Sequence, residues 1–384
     1  MKVLIVHNRY KILGGEDLST EAEVALLRCN GVEVDTFYVN NADIDVKHRA
    51  TLAMNTVWSK HFYREIREKI EQEKYDLVHV QNFFPLLSPS IFYACQKAGT
   101  KVVMSVRNYR LICPNAQMYV NGSVCMECVG KKIPVQAIWK KCYRKSAVTT
   151  SAVVAMLAFH NFLNTWKNKV DGYICVSEYV KSQLTLGGFG REKLFVKHNF
   201  VTTGLEPCFE NGEYYIFAGR LSEEKGIDIL LNSFRLSSKK LVIVGDGPLA
   251  ETVRTFADEN PNTVYLGRKS LEEIYLLISK ARALIFPSKW HEPFGRTIVE
   301  AFAHGTPVIA SAMGGITELI RDKHNGILFN PGQADGLQNA IDRFENVPDN
   351  RLIRLNTYDT YKNNFLPAIH FNRIMSIYQQ VLSA

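Results

Sequence analysis

Two carboxylates, Glu292 and Glu300, stand eight positions apart in "HEPFGRTIVEA". Pro293 and Gly295 between them mark a turn, and the residues that follow open a helix. Glu292 then stands just outside the helix, and Glu300 more than one turn inside it. At the helix start the N–H groups of Gly295, Arg296 and Thr297 have no intrahelical partners, and with the helix dipole they make an anion site. A pyrophosphate held there would leave Glu292 beside a sugar and Glu300 within reach of a ribose diol. The same pattern also reads as a helix-start acid favoured by the dipole plus a surface glutamate.

A second cationic stretch, "GRLSEEKG", follows an apolar run and precedes a helix, which puts Arg220 and Lys225 at a strand end. Two cations near one point suit a pyrophosphate, because arginine binds two oxygens as a fork and lysine is a mobile point charge. Glu223 and Glu224 beside them leave a solvated charged turn as the other reading. Gly14 and Gly15 after the first apolar run would let backbone approach a ligand, or simply turn the chain into a helix. Gly245 in "VGDGPL" is a lone G-x-G and weak by itself. His7 and His79 fall at strand ends, where ligand-facing and structural histidines both occur.

Cys113, Cys125, Cys128 and Cys142 form C-x11-C-x2-C-x13-C. Four thiolates around a C-x2-C core fit tetrahedral Zn²⁺, and four protein ligands would make the site structural. Free buried thiols are the alternative. A disulfide fits a reducing compartment poorly.

These residues need elements to place them. Apolar runs alternate with helical stretches from "KVLIVH" to "EKLFVKHN", and the alternation restarts at "EYYIFAGR" and continues to "TPVIASAMGG". Such a pattern implies parallel strands with helical crossovers. The expected fold is therefore α/β with two Rossmann-like, doubly wound domains facing a central cleft. The first domain would cover 1–205, with a cysteine-containing insertion at about 108–169. The second would cover 206–366, after a linker at about 200–212. A helix at 367–384, apolar at Ile369, Ile374, Ile377, Tyr378 and Val381, would return to the first domain. The insertion runs into an apolar helix expected at 151–166, which reads either as a packing helix or as a surface meeting a lipid acceptor or membrane.

The chain has 384 residues, 46% hydrophobic and 22% charged, the profile of a globular protein. Its net charge is 46 − 38 = +8, which suits an anionic partner such as a phosphate-rich ligand, an anionic membrane surface or nucleic acid, or is simply a basic surface. "MKVLIVH" is too short for a signal core, and no apolar stretch is long enough to span a bilayer. A cytoplasmic chain, at most at the inner face of the membrane, is the expectation.

The double glycine, "GRLSEEKG", "VGDGPL", "EPFGRTIVEA" and "GTPVIASAMGGITELI" occur in this order over essentially the whole chain. Together they resemble the retaining GT-B glycosyltransferases of family 4, and Glu292 with Glu300 matches that family's E-x7-E. "HNRYKILGGED", "HVQNFFPLLSPS" and "VRNYRLICPNAQMYVNGSVCMECVG" resemble its bacterial members that build capsules, O-antigens or exopolysaccharides. The resemblance implies a nucleotide-diphosphate sugar donor, UDP- or GDP-linked, and a glycan or polyprenyl-diphosphate-linked acceptor, with no nucleic acid and no catalytic metal. Arg220 and Lys225 would hold the diphosphate, with Gly15 approaching it from the N-terminal domain. Glu300 would hold the ribose and Glu292 the sugar hydroxyls. Gly14, Gly219, Gly245, Arg268, Phe294, Gly295, Arg296 and Thr297 would complete the donor site. His7, His79, Asn108 and Arg110 would face the acceptor. The chain departs from the family at Arg107, where a histidine normally stands beside the transferred sugar. Arginine cannot act as a base, but it can hold a phosphate or sugar oxygen, so Arg107 joins the catalytic set. That departure also opens a rival reading, a non-catalytic binding subunit. A UDP-sugar 2-epimerase shares the fold but lacks E-x7-E together with "GRLSEEKG".

Overall fold

The structure is a computed structural model that describes residues 1–11, 14–43, 49–333, 335–347 and 350–384. Ile12 and Leu13 of the motif "HNRYKILGGED" lie outside the described residues. The chain divides into two compact units. Unit 1 holds Met1–Val120, Cys125–His198 and His370–Ala384, and unit 2 holds Asn121–Val124 and Asn199–Ile369.

Unit 1 contains β1 (Lys2–Arg9), β2 (Glu33–Asn40), β3 (Leu77–Asn82), β4 (Lys101–Val106), β7 (Gly172–Cys175) and β8 (Leu194–Val196). Between β4 and β7, β5 (Tyr119–Val120) and β6 (Ser123–Val124) form a two-stranded ribbon. Among the described residues the sheet of unit 1 is six-stranded, in the order β2-β1-β3-β4-β7-β8, with every pair parallel. Val3 to Val6 of β1 are fully buried because helices cover both faces of a parallel sheet. The core joins Val3, Ile5, Leu77, Val103 and Ile174 to Ile374, Ile377, Tyr378 and Val381 of the last helix, Pro367–Ser383. That helix starts on a proline, whose missing N–H is harmless at the first position. The sequence pattern counted Ile369 on its apolar face. Ile369 is exposed, and His370 occupies the buried position instead.

Unit 2 contains β9 (Tyr215–Ala218), β10 (Leu241–Val244), β11 (Thr263–Tyr265), β12 (Ala283–Phe286), β13 (Val308–Ser311) and β14 (Gly326–Phe329). They form a second six-stranded sheet, in the order β11-β10-β9-β12-β13-β14, again parallel throughout. Strand order reverses between β1 and β3 in one sheet and between β9 and β12 in the other. Loops diverge at such a switch point, and the crevice left at the carboxyl ends of the strands is where open α/β sheets bind ligands.

The apolar helix expected at 151–166 runs instead over Ala147–Phe162, followed by the short helix Thr165–Asn168. Ser146 sets its start by accepting a hydrogen bond from the Thr149 N–H, and Asn164, at φ 49°, breaks it.

Candidate functional site

In unit 2 three loops meet at the switch point. The loop after β9 carries Gly219 and Arg220 and is fastened to the loop after β10 by Gly219 N–H to Val244 C=O (3.0 Å) and Leu221 N–H to Asp246 C=O (2.9 Å). A Cβ on Gly245 would lie 1.8 Å from the Gly219 carbonyl oxygen, so only glycine fits. Gly245 therefore serves the Arg220 loop by close backbone contact. The Lys225 turn ends at Gly226, with φ 71°, whose absent side chain admits the Pro287 carbonyl. Lys289 N–H donates to Glu224 C=O at 2.8 Å, locking this turn to the loop after β12.

Glu292 lies on that third loop and is 4% exposed. Its Oε1 accepts hydrogen bonds from Lys225 Nζ (2.6 Å), Ser288 Oγ (2.6 Å) and Trp290 Nε1 (2.7 Å). Lys225 also lies over the Trp290 ring at 5.4 Å and the Phe286 ring at 5.7 Å, an arrangement favourable for a cation. The Glu292 backbone is pinned as well: its carbonyl accepts from Gly315 N–H at 2.7 Å, and Gly314 packs too closely to carry a side chain. The "GG" of "SAMGGITELI" thus positions Glu292.

Gly295, at φ 103°, caps the helix Arg296–Ala303. Glu300 is 5% exposed and accepts from Arg296 Nε at 2.8 Å across one helical turn. Burial, and then Glu300, pushes the Tyr275 hydroxyl nearby up to about 12, so it stays protonated as a donor. Arg220 and Arg268 are exposed, and among the described residues Arg220 forms no ion pair. A hydrogen bond from Gly245 N–H to Gly267 C=O (2.9 Å) brings the Arg268 loop to the same edge of the sheet. Thr297 is partly exposed at the helix start. Phe294 is 3% exposed and packs against Phe365 at 6.2 Å.

In unit 1 the sequence pointed to the same edge with a different outcome. A register shift between Val6 and His7 re-aims the end of β1. Buried His7 bonds Asp17 Oδ1 at 2.8 Å, and Asp17 also accepts from the N–H groups of Gly14 (2.9 Å) and Tyr10 (3.3 Å). Burial raises the Asp17 pKa, but these bonds outweigh it and hold the carboxylate below its usual range. Asp17 therefore fixes the entry to Gly14 and Gly15. Asn108 Nδ2 donates to Glu16 Oε1 at 2.7 Å, and Arg110 bonds the Pro114 carbonyl while lying over the Phe84 ring at 4.2 Å.

Beneath these loops is a cluster whose assembly no local stretch of the chain signals. Glu23 is fully buried, with Lys197 Nζ at 2.6 Å, His370 Nε2 at 3.0 Å, Gln81 Nε2 at 2.5 Å and Arg107 at 3.7 Å. Burial raises its pKa, but Lys197, His370, His79 and Arg107 hold it well below the usual carboxylate range. Burial pulls His79 down to about 3 and His370 to about 4, so both are neutral imidazoles. The His79 nitrogens bond Tyr378 Oη (2.7 Å) and Ser105 Oγ (2.8 Å). With every polar atom engaged and none exposed, His79 is a structural residue, and the acceptor role expected for it is withdrawn. His7 is also buried, 1% exposed, and bonds Asp17 through Nε2, but its Nδ1 has no hydrogen-bond partner among the described residues. Arg107, bonded to Gln81 and Glu23, adjoins a concavity of only about 10 Å³, room for about one water. Lys197 and His370 lie far from Glu23 in sequence and carry no motif, so no local signal could have found them.

Among the described residues no group of three or more His, Cys, Asp and Glu side chains is arranged to hold a metal ion, so the structure does not show the expected zinc ligand set. Cys113 Sγ donates to Asn115 Oδ1 at 2.9 Å instead. Burial first, and then Cys113 and Cys125, pushes Cys128 up to about 12 and Cys142 to about 11, so the four thiols lie near enough to influence one another.

Comparison with known proteins follows the same division. Residues 21–205 match the family model Glycosyltransferase Family 4, and residues 206–359 match Glycosyl transferases group 1. An uncharacterized glycosyltransferase of Methanocaldococcus jannaschii is 33% identical over 175 residues, 44% of this chain and 48% of that protein. The O-antigen chain mannosyltransferase C of Escherichia coli is 32% identical over 164 residues, 41% of this chain and 44% of that protein. The chain thus spans about half the length of these two relatives. A 42.6 kDa protein of the cps region of Klebsiella pneumoniae is 25% identical, covering 84% of this chain and 88% of its own. The crystal structure of Anabaena HepE in complex with UDP has the same fold, with TM-score 0.71 at 18% identity over 99% of this chain and all of that one.

Proposed function

The chain belongs to the glycosyltransferases, with a family 4 N-terminal part and a group 1 C-terminal part, and on that premise we propose that it moves a hexose or N-acetylhexosamine from a UDP- or GDP-sugar to a glycan acceptor in surface polysaccharide biosynthesis. The relatives named for O-antigen and cps loci support this reading. Unit 2 takes the donor and unit 1 the acceptor, a glycan carried on a polyprenyl diphosphate at the inner face of the membrane.

The observation that carries it is the Lys225–Glu292 pair with Arg220 exposed beside it, all at the switch point of β9 and β12. Arg220 and Lys225 bind the diphosphate, aided by the helix start at Gly295, Arg296 and Thr297. Glu292, fixed by three donors on Oε1, offers its other oxygen to the sugar hydroxyls. Glu300 takes the ribose diol when Arg296 shares it. Gly219 and Arg268 line the approach within unit 2. The bond from the anomeric carbon to the diphosphate breaks, the bond to the acceptor hydroxyl oxygen forms on the same face, and that hydroxyl passes its proton to the leaving diphosphate oxygen. Positive charge grows on the sugar ring and negative charge on the leaving diphosphate. The two cations and the helix dipole are already oriented towards that charge, so little reorganisation opposes the step. Asn108 and Arg110 face the acceptor.

A thermal-shift series with UDP, GDP and ADP tests the donor site. One nucleotide at a hundred times its dissociation constant should stabilise the chain by about 2.7 kcal/mol. Arg220→Ala and Glu300→Ala should abolish that shift, and a shift that survives both would remove the assignment. The binding-subunit alternative rested on Arg107, which the structure ties to Glu23 and Gln81. If Arg107→His alone creates transfer activity, that alternative is the correct one.

A further inference from the structure

Trp139 and Val148 of unit 1 are 84% and 81% exposed, and Phe162 is 59% exposed. Their setting is unusual for a face turned to water. The helix Ala147–Phe162 has no charged side chain along its length. One face carries the buried Val153, Val154, Met156, Leu157 and His160. The opposite face carries Val148, Ala152, Ala155, Phe159 and Phe162, spaced by four, three, four and three residues, where a surface helix would place polar groups. The preceding segment runs back alongside this helix. Asn161 Nδ2 donates to the Lys132 carbonyl at 3.0 Å near one end, and Thr149 Oγ1 donates to the Tyr143 carbonyl at 3.0 Å near the other. Exposed Ile133, Val135 and Trp139 therefore lie alongside the helix.

The charge is concentrated in the same place. Residues 121–170 hold eight Lys and Arg and one acid, Glu127, so 8 − 1 = +7 of the chain's +8 resides in this stretch. Glu127 is already paired with Lys140 at 2.6 Å. Lys131, Lys132, Lys141, Arg144 and Lys145 are exposed. A second copy of the same face would meet it with like charge, which disfavours a symmetric dimer. Among the described residues no helix is long and apolar enough to cross a membrane.

We propose that this face is a docking surface for an anionic lipid bilayer. Trp139, Val148 and Phe162 enter the boundary between headgroups and acyl chains, and the five exposed cations lie over acidic headgroups. Apolar insertion and a basic patch together supply the two signals that stable peripheral binding needs. The inference rests on the glycosyltransferase reading only for its purpose, which is to meet a lipid-linked acceptor.

The test is co-sedimentation of the full chain with large unilamellar vesicles. Vesicles of phosphatidylglycerol and phosphatidylcholine in equal parts should pull the chain down, and pure phosphatidylcholine should not. Binding should weaken as salt rises, because surface charge is screened. The double variant Trp139→Ser, Val148→Ser removes exposed side chains only and should leave the fold intact. It should lower vesicle affinity roughly tenfold by loss of buried apolar area. The blue shift of tryptophan emission on vesicle binding should be lost in Trp139→Phe. Equal binding to both vesicle types, or no loss in the double variant, overturns the proposal. So does a dimer that the double variant converts to a monomer with vesicle binding unchanged. Vesicle binding requires no donor, so a chain that docks but transfers no sugar would sink the glycosyltransferase reading and leave this one standing.

Discussion

The two switch-point edges of this molecule carry similar residues and treat them in opposite ways. In unit 2 the charges stay accessible: Arg220 is exposed, Lys225 is partly exposed, and Glu292 has an oxygen beyond its three donors. In unit 1 Glu23, Lys197, His79 and His370 are buried and satisfy one another. The last helix makes the difference, since His370 and Tyr378 descend from it onto the cluster. A group of ionisable residues at a sheet edge is therefore a ligand site only where no later element covers it.

Breaking the buried side of the comparison should have the largest effect. Glu23→Ala leaves Lys197 and Arg107 buried without their anion, and losing one partner of a buried pair costs about 3–5 kcal/mol. Hydrogen exchange in β3 and β8 should accelerate while β9 and β12 keep their protection. Unchanged exchange in β3 would mean that the cluster does not hold unit 1 together.

Lys225→Ala tests the open side, with an effect on chemistry and not on folding. Transfer activity should fall by roughly 10²–10³, the loss expected for one preorganised group facing developing charge. Stability should change little, because Lys225 is partly exposed and its ion pair is near the surface. A large drop in melting temperature with activity retained would reverse the contrast between the units.

The smallest effect is on pH dependence. His79 and His370 are neutral in the folded chain, with pKa values of about 3 and about 4. Both titrate near 6.5 when unfolded. Their folded values are depressed, so their stabilisation is complete above pH 6.5 and is lost as pH falls towards 4. In that window the unfolded chain binds more protons. Stability should fall by about 1.4 kcal/mol per pH unit for each histidine. Glu23 acts in the same direction at lower pH, because its folded value is also depressed. Lys197, lowered to about 8 by burial, extends the rise in stability between about pH 8 and 10.5. Urea unfolding of unit 1 at pH 7.5 and pH 5 reads the difference, and a flat profile would mean that the histidines are solvated.

Much of this was present in the linear chain. Alternation of apolar runs with helical stretches fixed two parallel α/β units, because the period of side-chain burial is a local property of strand and helix. Glu292, Arg220, Lys225 and Glu300 were legible for the same reason: each stands within a few residues of a strand end or a helix start. The packing of Gly245 on the Gly219 carbonyl and of Phe294 on Phe365 was not legible, since a sequence does not show whether a glycine accommodates a ligand or another loop, or whether an aromatic ring faces solvent or core. The fate of His79 and Arg107 was decided only by tertiary structure. Their partners Glu23, Lys197, His370 and Tyr378 are up to 299 residues away, as His79 is from Tyr378. Burial and pairing between such distant residues depend on where the last helix lands, and no local pattern encodes that.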